Sequence, residues 1–239
     1  MNYSQIPKEF NPGLFAPNYL TRQGLLKAIS KNVPSLKGIM MDFGCGAKPY
    51  QSLFSVERYI GVDYEGDGHS HENENVDVFY NGKIIPFENE YFDSIFSTEV
   101  FEHIFNLKEI LKEINRVLKP GGHLLITCPF SICEHEVPND FARYTSFAIK
   151  HILEENGFEV IMQDKIGCSV TTIFQLWEMY IHQNIAPRLQ KIPIVRSAFR
   201  IITYSILNSC ALLLKSILPK GKELYLNNIV LVQKPHTQK

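Results

Sequence analysis

The sequence lacks the cysteine pattern of a disulfide framework or a zinc site. Its five cysteines are an odd number, no two form a C-x-x-C pair, and none stands with histidines at zinc-ligand spacing. Such cysteines are typical of reduced thiols in a cytoplasmic protein. The first residues also lack a basic segment followed by an apolar run. We therefore expect a cytoplasmic protein with no signal peptide, and we predict no metal site.

The chain also lacks an excess of either charge, any internal repeat and any low-complexity segment. Its net charge is −1, so the overall balance gives no reason to expect a nucleic-acid partner. The apolar run between Arg200 and Lys215 is too short by itself to cross a bilayer. A length of 239 residues with 45% apolar side chains suits one domain that carries an insertion.

A glycine-containing turn follows the first apolar run of the sequence. The run ends at Met41, and Asp42 then precedes Gly44 and Gly46 in a G-x-G arrangement. Glycine has no Cβ, so its backbone adopts positive φ readily and lies close against a ligand. In an open α/β sheet, such a turn stands at the carboxyl end of the first strand, where ligands bind.

A second apolar run ends at Asp63, ~20 residues after the turn. At this spacing, an acidic side chain accepts hydrogen bonds from the hydroxyls of an adenosine ribose. A dinucleotide site normally has a third glycine, which lets a helix N-terminus hold the pyrophosphate. Pro49 stands there instead. The pattern therefore predicts a site for a nucleoside without phosphates, and argues against NAD or FAD.

Four blocks of the chain resemble the class I S-adenosylmethionine-dependent methyltransferases, in the type 11 group that includes the ubiquinone and menaquinone methyltransferases. They are MDFGCG from Met41, YIGVD from Tyr59, IPFENEYFDSIFSTEVFEHI from Ile85 and LKPGGHLLITCPF from Leu118. The resemblance implies an α/β, Rossmann-like, seven-stranded methyltransferase fold with a mostly parallel sheet. The last strand is expected to insert antiparallel between strands five and six. The implied cofactor is S-adenosylmethionine, with S-adenosylhomocysteine as product.

The resemblance also implies a set of cofactor contacts. They fall on Asp42, Gly44, Cys45, Gly46, Asp63, Tyr64, Asn81, Gly82, Ser97 and Thr98. An acidic residue often stands at the position of Asn81 in the family and accepts from the adenine amino group. An asparagine oxygen accepts the same hydrogen bond without charge.

Alternating apolar runs and helical patterns predict a parallel sheet with right-handed crossovers. We expect strands near residues 38–42, 59–63, 76–80, 92–97, 123–127, 158–162 and 226–233. The resulting organisation is an N-terminal arm and helix (1–34), a cofactor-binding core (35–166), a helical insertion (167–222), and a final strand and tail (223–239). Glu99 and Glu102 lie just past the fourth strand, at the ligand edge.

The loop after the fifth strand is polar and emerges on the ligand side of the sheet. O-methylation requires an acceptor oxygen to lose its proton, and a histidine accepts protons near neutral pH. We predict His135 as this base, with Glu136 orienting it or binding a sugar hydroxyl. The predicted substrate contacts are Arg143, Tyr144 and His103. Two alternatives remain open: an Asp140–Arg143 pair that only orders the loop, and a positioning role for His103.

The helical insertion combines apolar residues with one sign of charge. From Met179 to Lys222 there is no Asp or Glu, whereas Arg188, Lys191, Arg196, Arg200, Lys215, Lys220 and Lys222 all lie there. Such a segment is typical of a helix lying on an anionic membrane. The alternative is a pair of lid helices packed on the core or on a second subunit. If the segment contacts the inner face of the membrane, a lipid-linked acceptor is expected.

A later block, HEVPNDFARYT from His135, resembles a subgroup linked to polysaccharide or glycolipid assembly. We therefore predict an enzyme that O-methylates a small or lipid-linked glycan precursor. Three alternatives remain: C-methylation of a quinone-like ring, a non-catalytic S-adenosylmethionine-binding protein, and a membrane adaptor. Nothing indicates nucleic acid as a partner, and the oligomeric state stays open. The polar segment with His69, His71 and Glu72 is expected to be a solvated loop rather than a metal site.

Overall fold

A computed structural model describes residues 3–66 and 75–236, so the loop with His69, His71 and Glu72 lies outside the described residues. Seven strands form one sheet in the order β3-β2-β1-β4-β5-β7-β6. β7 is antiparallel to both β5 and β6, and the other neighbours are parallel. The predicted fold is therefore confirmed. The strands are β1 (Ile39–Phe43), β2 (Arg58–Tyr64), β3 (Val78–Tyr80), β4 (Phe92–Thr98), β5 (Leu118–Pro129), β6 (Glu159–Ile166) and β7 (Asn227–Gln233).

Five α-helices accompany the sheet within the described residues. They are α1 (Tyr19–Asn32), α2 (Leu107–Val117), α3 (Ser146–Glu155), α4 (Ser169–Tyr180) and α5 (Pro193–Ile217). A π-helical turn (Ile181–Ile185) and a 3-10 turn (Ala186–Leu189) connect α4 to α5, and another 3-10 turn (Phe101–His103) follows β4. The predicted 167–222 insertion thus contains α4 and α5.

The sheet is buried on both faces, which explains why its central strands are apolar without alternation. Successive side chains of a strand point to opposite faces. In β1, Met41 belongs to the core beneath α2 and α3, whereas the adjacent Met40 belongs to the core beneath α1. The apolar stripe of α2 is buried as its 3.6-residue period predicts, and Ile110 and Ile114 are fully inaccessible.

Three strands differ from the sequence prediction by two residues or more at an end, and one of them is β6, which continues to Ile166 rather than ending at Met162. β3 is shorter than predicted and begins at Val78, while β5 begins at Leu118 rather than at His123. Leu118 pairs with Phe92, and the register then shifts before Ser94 pairs with His123. The Lys-Pro-Gly-Gly segment therefore forms an irregularity within the paired strands β4 and β5. The sequence shows the turn but not that strand pairing begins before it.

The strand order places a topological switch point between β1 and β4. After β3 the chain crosses to the other side of β1, so the connections from the carboxyl ends of β1 and β4 run in opposite directions. In open α/β sheets this divergence leaves a crevice where ligands bind. Asp93 fixes the other end of β4, because its carboxylate accepts from Ile39 N at 2.9 Å and from Lys119 Nζ at 2.6 Å.

The insertion is fastened to the N-terminal arm. Asn208 Nδ2 of α5 donates to the carbonyl oxygens of Leu14 and Ala16, and Gln175 Nε2 of α4 donates to Pro17 O. The rest of α5 is largely exposed. The helix extends past both Arg200 and Lys215, so it is longer than the uncharged run between them. By length and composition alone it could cross a membrane. An 18-residue window within it has a mean hydropathy of 1.4 and is 17% buried.

Asp42 is a buried carboxyl group inside the sheet rather than at its edge. It is 3% exposed and accepts the Tyr59 hydroxyl, while its second oxygen has no hydrogen-bond partner among the described residues. Burial raises its pKa to about 7, although the Tyr59 hydrogen bond opposes this shift. The folded chain therefore holds a proton here that the unfolded chain releases at lower pH.

This raised pKa predicts pH-dependent stability. A folded-state pKa above the unfolded value stabilises the fold at low pH, and the contribution disappears as pH rises through 7. From pH 5 to pH 8, we expect the wild type to lose about 2–3 kcal/mol of unfolding free energy relative to Asp42→Asn. Urea denaturation of both proteins at several pH values measures the difference. Parallel stability curves would contradict the assignment.

Candidate active site

A cavity of about 420 Å³ opens at the carboxyl edge of the sheet, at the switch point. Its walls come from the ends of β1, β2 and β3, from the segment after β4, and from the loop after β5. The lining residues are Phe43, Gly44, Gly46, Asp63, Tyr64, Tyr80, Gly82, Glu99, Val100, His103, Ile104, Phe105, Asn106, Glu136, Asn139 and Phe141. This volume is in the range of small-molecule and cofactor sites.

Glycine is needed at the two positions after β1 for different physical reasons. Gly44 has φ +72° and Gly46 has φ +47°, a region that favours glycine. A Cβ on Gly44 would collide with the side chain of Val100, so packing within the protein requires glycine there. A Cβ on Gly46 would meet no atom within 4 Å. Gly46 is therefore the glycine that leaves space for a ligand, whereas the sequence alone assigned this role to both.

Asp63 stands at the end of β2 with its carboxylate held by the backbone. One oxygen accepts from Gly46 N at 2.7 Å, and the other accepts from Tyr64 N at 2.8 Å. The predicted turn and the predicted acid are thus joined by a direct hydrogen bond. A carboxylate oxygen can accept more than one hydrogen bond, and Asp63 lines the cavity.

Several predicted cofactor residues support the cavity without lining it. Ser97 donates to Phe43 O at 2.9 Å, and the Thr98 and Thr127 hydroxyls are 2.8 Å apart. Cys45 is buried, and burial raises the pKa of its thiol. Asn81 Oδ1 accepts two backbone N–H bonds at 3.0 Å and closes a turn, so the cavity is lined by Gly82 instead. Asp42 lies inside the sheet, as described above.

Glu99 lines the cavity although the sequence assigned it no role. It follows β4 with φ +55°, and its carboxylate accepts from the Thr127 hydroxyl at 2.8 Å and from Asn227 Nδ2 at 2.6 Å. Burial raises its pKa to about 7, against the opposing effect of the Thr127 hydrogen bond. Its position after the strand that borders the switch point is the signal that would have identified it.

The segment after β4 and the loop after β5 bring two histidines together. The rings of His103 and His135 have centroids 4.8 Å apart and planes at 83°. Glu102 Oε1 is 3.6 Å from His103 Nε2 and 3.9 Å from His135 Nε2. Glu102 is fully buried, and burial, followed by the charge of Glu99, raises its pKa well above the usual range. The sequence did not predict this cluster.

The predicted base and its predicted partner are arranged differently from the expectation. His103 lines the cavity, whereas His135 does not. Glu136 Oε2 lies 3.5 Å from His103 Nε2, so the structure places Glu136 beside His103 rather than as the residue that orients His135. His135 is instead held by Asp140, which accepts from the His135 backbone N–H at 3.0 Å.

Arg143 and Tyr144, the other predicted substrate contacts, do not line the cavity. The Arg143 guanidinium binds both carboxylate oxygens of Asp140, at 2.5 and 2.6 Å, so the internal pair considered as an alternative is present. This hydrogen bonding lowers the pKa of Asp140 to about 2. Tyr144 packs against the core, and its carbonyl oxygen accepts from Asn228 Nδ2. Both residues order the loop that carries His135.

Comparison with known proteins agrees with this fold. Residues 41–126 match the profile of the family described as "Methyltransferase domain". A probable S-adenosylmethionine-dependent methyltransferase of Mycolicibacterium smegmatis is 28% identical over 140 residues, or 54% of each chain. An uncharacterized protein of Methanocaldococcus jannaschii is 30% identical over 114 residues, or 47% of this chain and 54% of that protein. The chain thus spans about half the length of the curated relatives it matches.

Solved structures share the fold at lower sequence identity. The [4+2]-cyclase SpnF has a TM-score of 0.56 at 17% identity and covers 90% of this chain and 82% of its own. A Haemonchus contortus phosphoethanolamine N-methyltransferase in complex with S-adenosylmethionine has a TM-score of 0.54 at 19% identity, covering 98% of this chain and 59% of its own. Together, the profile and the relatives support S-adenosylmethionine as the cofactor and identify residues 41–126 as similar to a methyltransferase domain.

Proposed function

We propose that the protein is an S-adenosylmethionine-dependent methyltransferase that methylates a hydroxyl oxygen of a small or lipid-linked glycan precursor. One observation carries the proposal: a single cavity joins a nucleoside-type end, with Gly46 and Asp63, to an ionisable end with His103 and Glu136. The match of residues 41–126 to the methyltransferase domain profile supports the same reaction class.

The nucleoside-type end fits the adenosine part of the cofactor. Asp63 offers carboxylate oxygens to ribose hydroxyls, and Gly46 leaves open space beside it. The rings of Tyr64 and Tyr80 have centroids 5.8 Å apart and form an aromatic wall suited to a purine. Carboxylates at both ends of the cavity also complement the positive sulfonium of S-adenosylmethionine.

The ionisable end fits an acceptor that must lose a proton. The sulfonium is already activated, so much of the catalysis consists of aligning the acceptor oxygen with the methyl carbon. His103 and Glu136 stand where such an oxygen would be presented, and Asn106 and Asn139 add polar groups for further hydroxyls. The same part of the cavity carries Ile104, Phe105 and Phe141, which offer apolar surface to the lipid part of an acceptor. The base role predicted for His135 accordingly extends to the cavity-lining His103.

A second observation supports a lipid-linked acceptor. The exposed side of the insertion presents large apolar side chains of α5, and on α4 the exposed rings of Trp177 and Tyr180 stack at 5.3 Å. Indole and phenol rings favour membrane interfaces, and basic residues favour anionic lipids. Lys222 is paired with Asp164 at 2.6 Å, so the charges available to such lipids are those of the other basic residues of the insertion. We therefore propose that the 179–222 segment contacts the inner face of the membrane, in a cytoplasmic protein.

The shared fold does not by itself determine the reaction, since a [4+2]-cyclase has the same fold.

Transfer of a labelled methyl group from S-adenosylmethionine to a glycolipid extract tests the proposal directly. Label recovered on a sugar hydroxyl would support it. Label on a quinone ring or on an amine would show that the acceptor is not a glycan. Cofactor binding without transfer to any extract would favour a non-catalytic binding protein.

Removing the Asp63 carboxylate should weaken cofactor binding. We expect Asp63→Ala to raise the S-adenosylmethionine Kd about 10- to 100-fold, because a hydrogen bond to a charged group contributes about 1.5–3 kcal/mol. Isothermal titration calorimetry measures the Kd, and circular dichroism checks the fold. Glu65→Ala is the matched control, since Glu65 is an exposed acid two residues further on. An unchanged Kd in Asp63→Ala would place the cofactor elsewhere.

Removing His103 should affect turnover rather than cofactor affinity. Because general acid–base groups contribute about 10²–10⁴-fold, we expect His103→Ala to lower the rate of methyl transfer at least ~10-fold. His135→Ala is expected to act in the same direction. The S-adenosylmethionine Kd of both variants should equal that of the wild type. The control is His151→Ala, which changes a largely exposed histidine and should leave both the Kd and the rate of methyl transfer unchanged. Full activity in both variants would remove this histidine pair from the reaction.

The insertion should bind anionic membranes. We expect the chain to float with vesicles containing phosphatidylserine and to remain at the bottom with neutral vesicles, because only the former attract its basic residues. Replacing the exposed Ile202 and Ile206 of α5 with glutamate should abolish flotation, whereas Phe147→Glu on the exposed side of α3 should not. A wild-type chain that never floats would favour lid helices or a subunit contact.

A further inference from the structure

Three potential metal ligands converge at the ionisable end of the cavity. One ligand atom from each of Glu102, His103 and His135 lies within 4.8 Å of the other two. For bonds of about 2.1 Å, two ligands of a tetrahedral ion stand about 3.4 Å apart. The distances from Glu102 Oε1 to the two Nε2 atoms are 3.6 and 3.9 Å, so small side-chain rotations would bring both histidines to bonding positions.

Both imidazoles are oriented by backbone carbonyls. His103 Nδ1 lies 2.7 Å from Asn139 O, and His135 Nδ1 lies 3.2 Å from Cys133 O. A carbonyl oxygen only accepts hydrogen bonds, so His103 Nδ1 carries the hydrogen, and a neutral His103 ring presents its Nε2 lone pair to Glu102. A second hydrogen bond of this kind is what fixes the tautomer of metal-bound histidines. His135 Nδ1 also lies 3.4 Å from the Arg143 guanidinium and 3.4 Å from Asp140 Oδ2. Both rings are thus held with Nε2 toward Glu102, and the His103 ring is held in the tautomer that a metal ligand requires.

Glu102 supplies an independent observation. Its side chain is fully buried, and neither carboxylate oxygen has a hydrogen-bond partner among the described residues. A buried carboxylate without partners is costly unless a proton or a cation neutralises it. Glu102 Oε1 faces the two Nε2 atoms, which are acceptors as well when the ring hydrogen stands on Nδ1. A cation therefore satisfies all three groups at once, whereas a single proton joins only two of them.

We propose that Glu102, His103 and His135 bind one divalent transition-metal ion. Two imidazoles and one carboxylate form a donor set that such ions favour, and three protein ligands leave positions open for a substrate oxygen. The open side faces the cavity, because His103 lines it while Glu102 lies behind. This site replaces the expectation from the sequence that no metal is bound. His103 and His135 are 32 positions apart and show no metal-ligand motif.

The chemical role of the ion rests on the proposed methyl transfer. An acceptor hydroxyl on the ion would lose its proton more easily, because metal coordination lowers the pKa of bound oxygen ligands. The acceptor oxygen then bonds to the methyl carbon as the carbon–sulfur bond breaks, and the sulfonium becomes a neutral thioether. The proton would pass to Glu136 or to water, because His103 and His135 act as ligands rather than as bases when the ion is bound. A tetrahedral ion with these three protein ligands would keep one position for the acceptor hydroxyl.

Metal titration of the purified chain tests the site. After treatment with a chelator and its removal, we expect one Zn²⁺ per chain by calorimetry, and visible absorption of bound Co²⁺ typical of nitrogen and oxygen ligands. Glu102→Gln and His135→Ala should each weaken Zn²⁺ binding at least ~10-fold. The control His151→Ala, which changes a histidine whose side chain is 71% exposed, should bind as the wild type does. Circular dichroism checks that each variant folds.

Cofactor titration of the same samples separates this inference from the proposed function. A wild-type chain that binds S-adenosylmethionine but neither Zn²⁺ nor Co²⁺ would overturn the metal site and leave the methyltransferase proposal intact. Zn²⁺ binding of equal strength in the wild type and in folded Glu102→Gln would also overturn the site. Zn²⁺ binding that depends on Glu102 and His135, without S-adenosylmethionine binding, would support the site and remove the proposed function.

Discussion

The carboxylate of Glu102 is the group around which the candidate active site is organised. It is buried without hydrogen-bond partners among the described residues, close to the charge of Glu99 and opposite two imidazoles. Burial first, and then the charge of Glu99, disfavour the ionised form of Glu102 and raise its pKa. The site must therefore hold protons or a cation at this point. A site that exchanges protons near neutral pH suits the deprotonation of an acceptor hydroxyl.

The backbone around this carboxylate is held from both sides of the switch point. Glu99 leaves β4 with positive φ, and its N–H donates to Thr127 O of β5 at 3.0 Å. This reversal directs the next turn, which carries Glu102 and His103, beneath the cavity. On the opposite side, the Asp140–Arg143 pair orders the loop that carries His135. Acid–base chemistry here thus depends on two loops that are each fixed by hydrogen bonds.

The fold and the cofactor end were predictable from the sequence because their signals are local. The glycine turn, the acid at Asp63 and the apolar stripe of α2 each follow from spacing along the chain. The antiparallel β7 came from the family resemblance, and the sheet confirms it. Asn81 shows the limit of this approach, since its oxygen closes a turn. A motif position specifies a residue, but not which of its hydrogen bonds the surrounding backbone has already taken.

The ionisable end was not predictable, because it depends on contacts between distant segments. His103 and His135 meet only through the paths of two loops, and Glu102 is buried by residues on both. Glu136 likewise lies beside His103 rather than beside its sequence neighbour. The insertion is a different case. Its composition predicted helices with exposed apolar and basic residues, but the contacts of Asn208 and Gln175 with the N-terminal arm required the structure.

We infer that one cavity holds the cofactor at Asp63 and presents the reacting group to His103 and Glu136. The decisive experiment is a crystal structure of the complex with S-adenosylhomocysteine. We expect the ribose hydroxyls to bind the Asp63 carboxylate, Gly46 to lie against the ligand, and the sulfur to face the His103 end. A ligand bound outside this cavity, or bound inside it with the ribose away from Asp63, would show that the cofactor lies elsewhere.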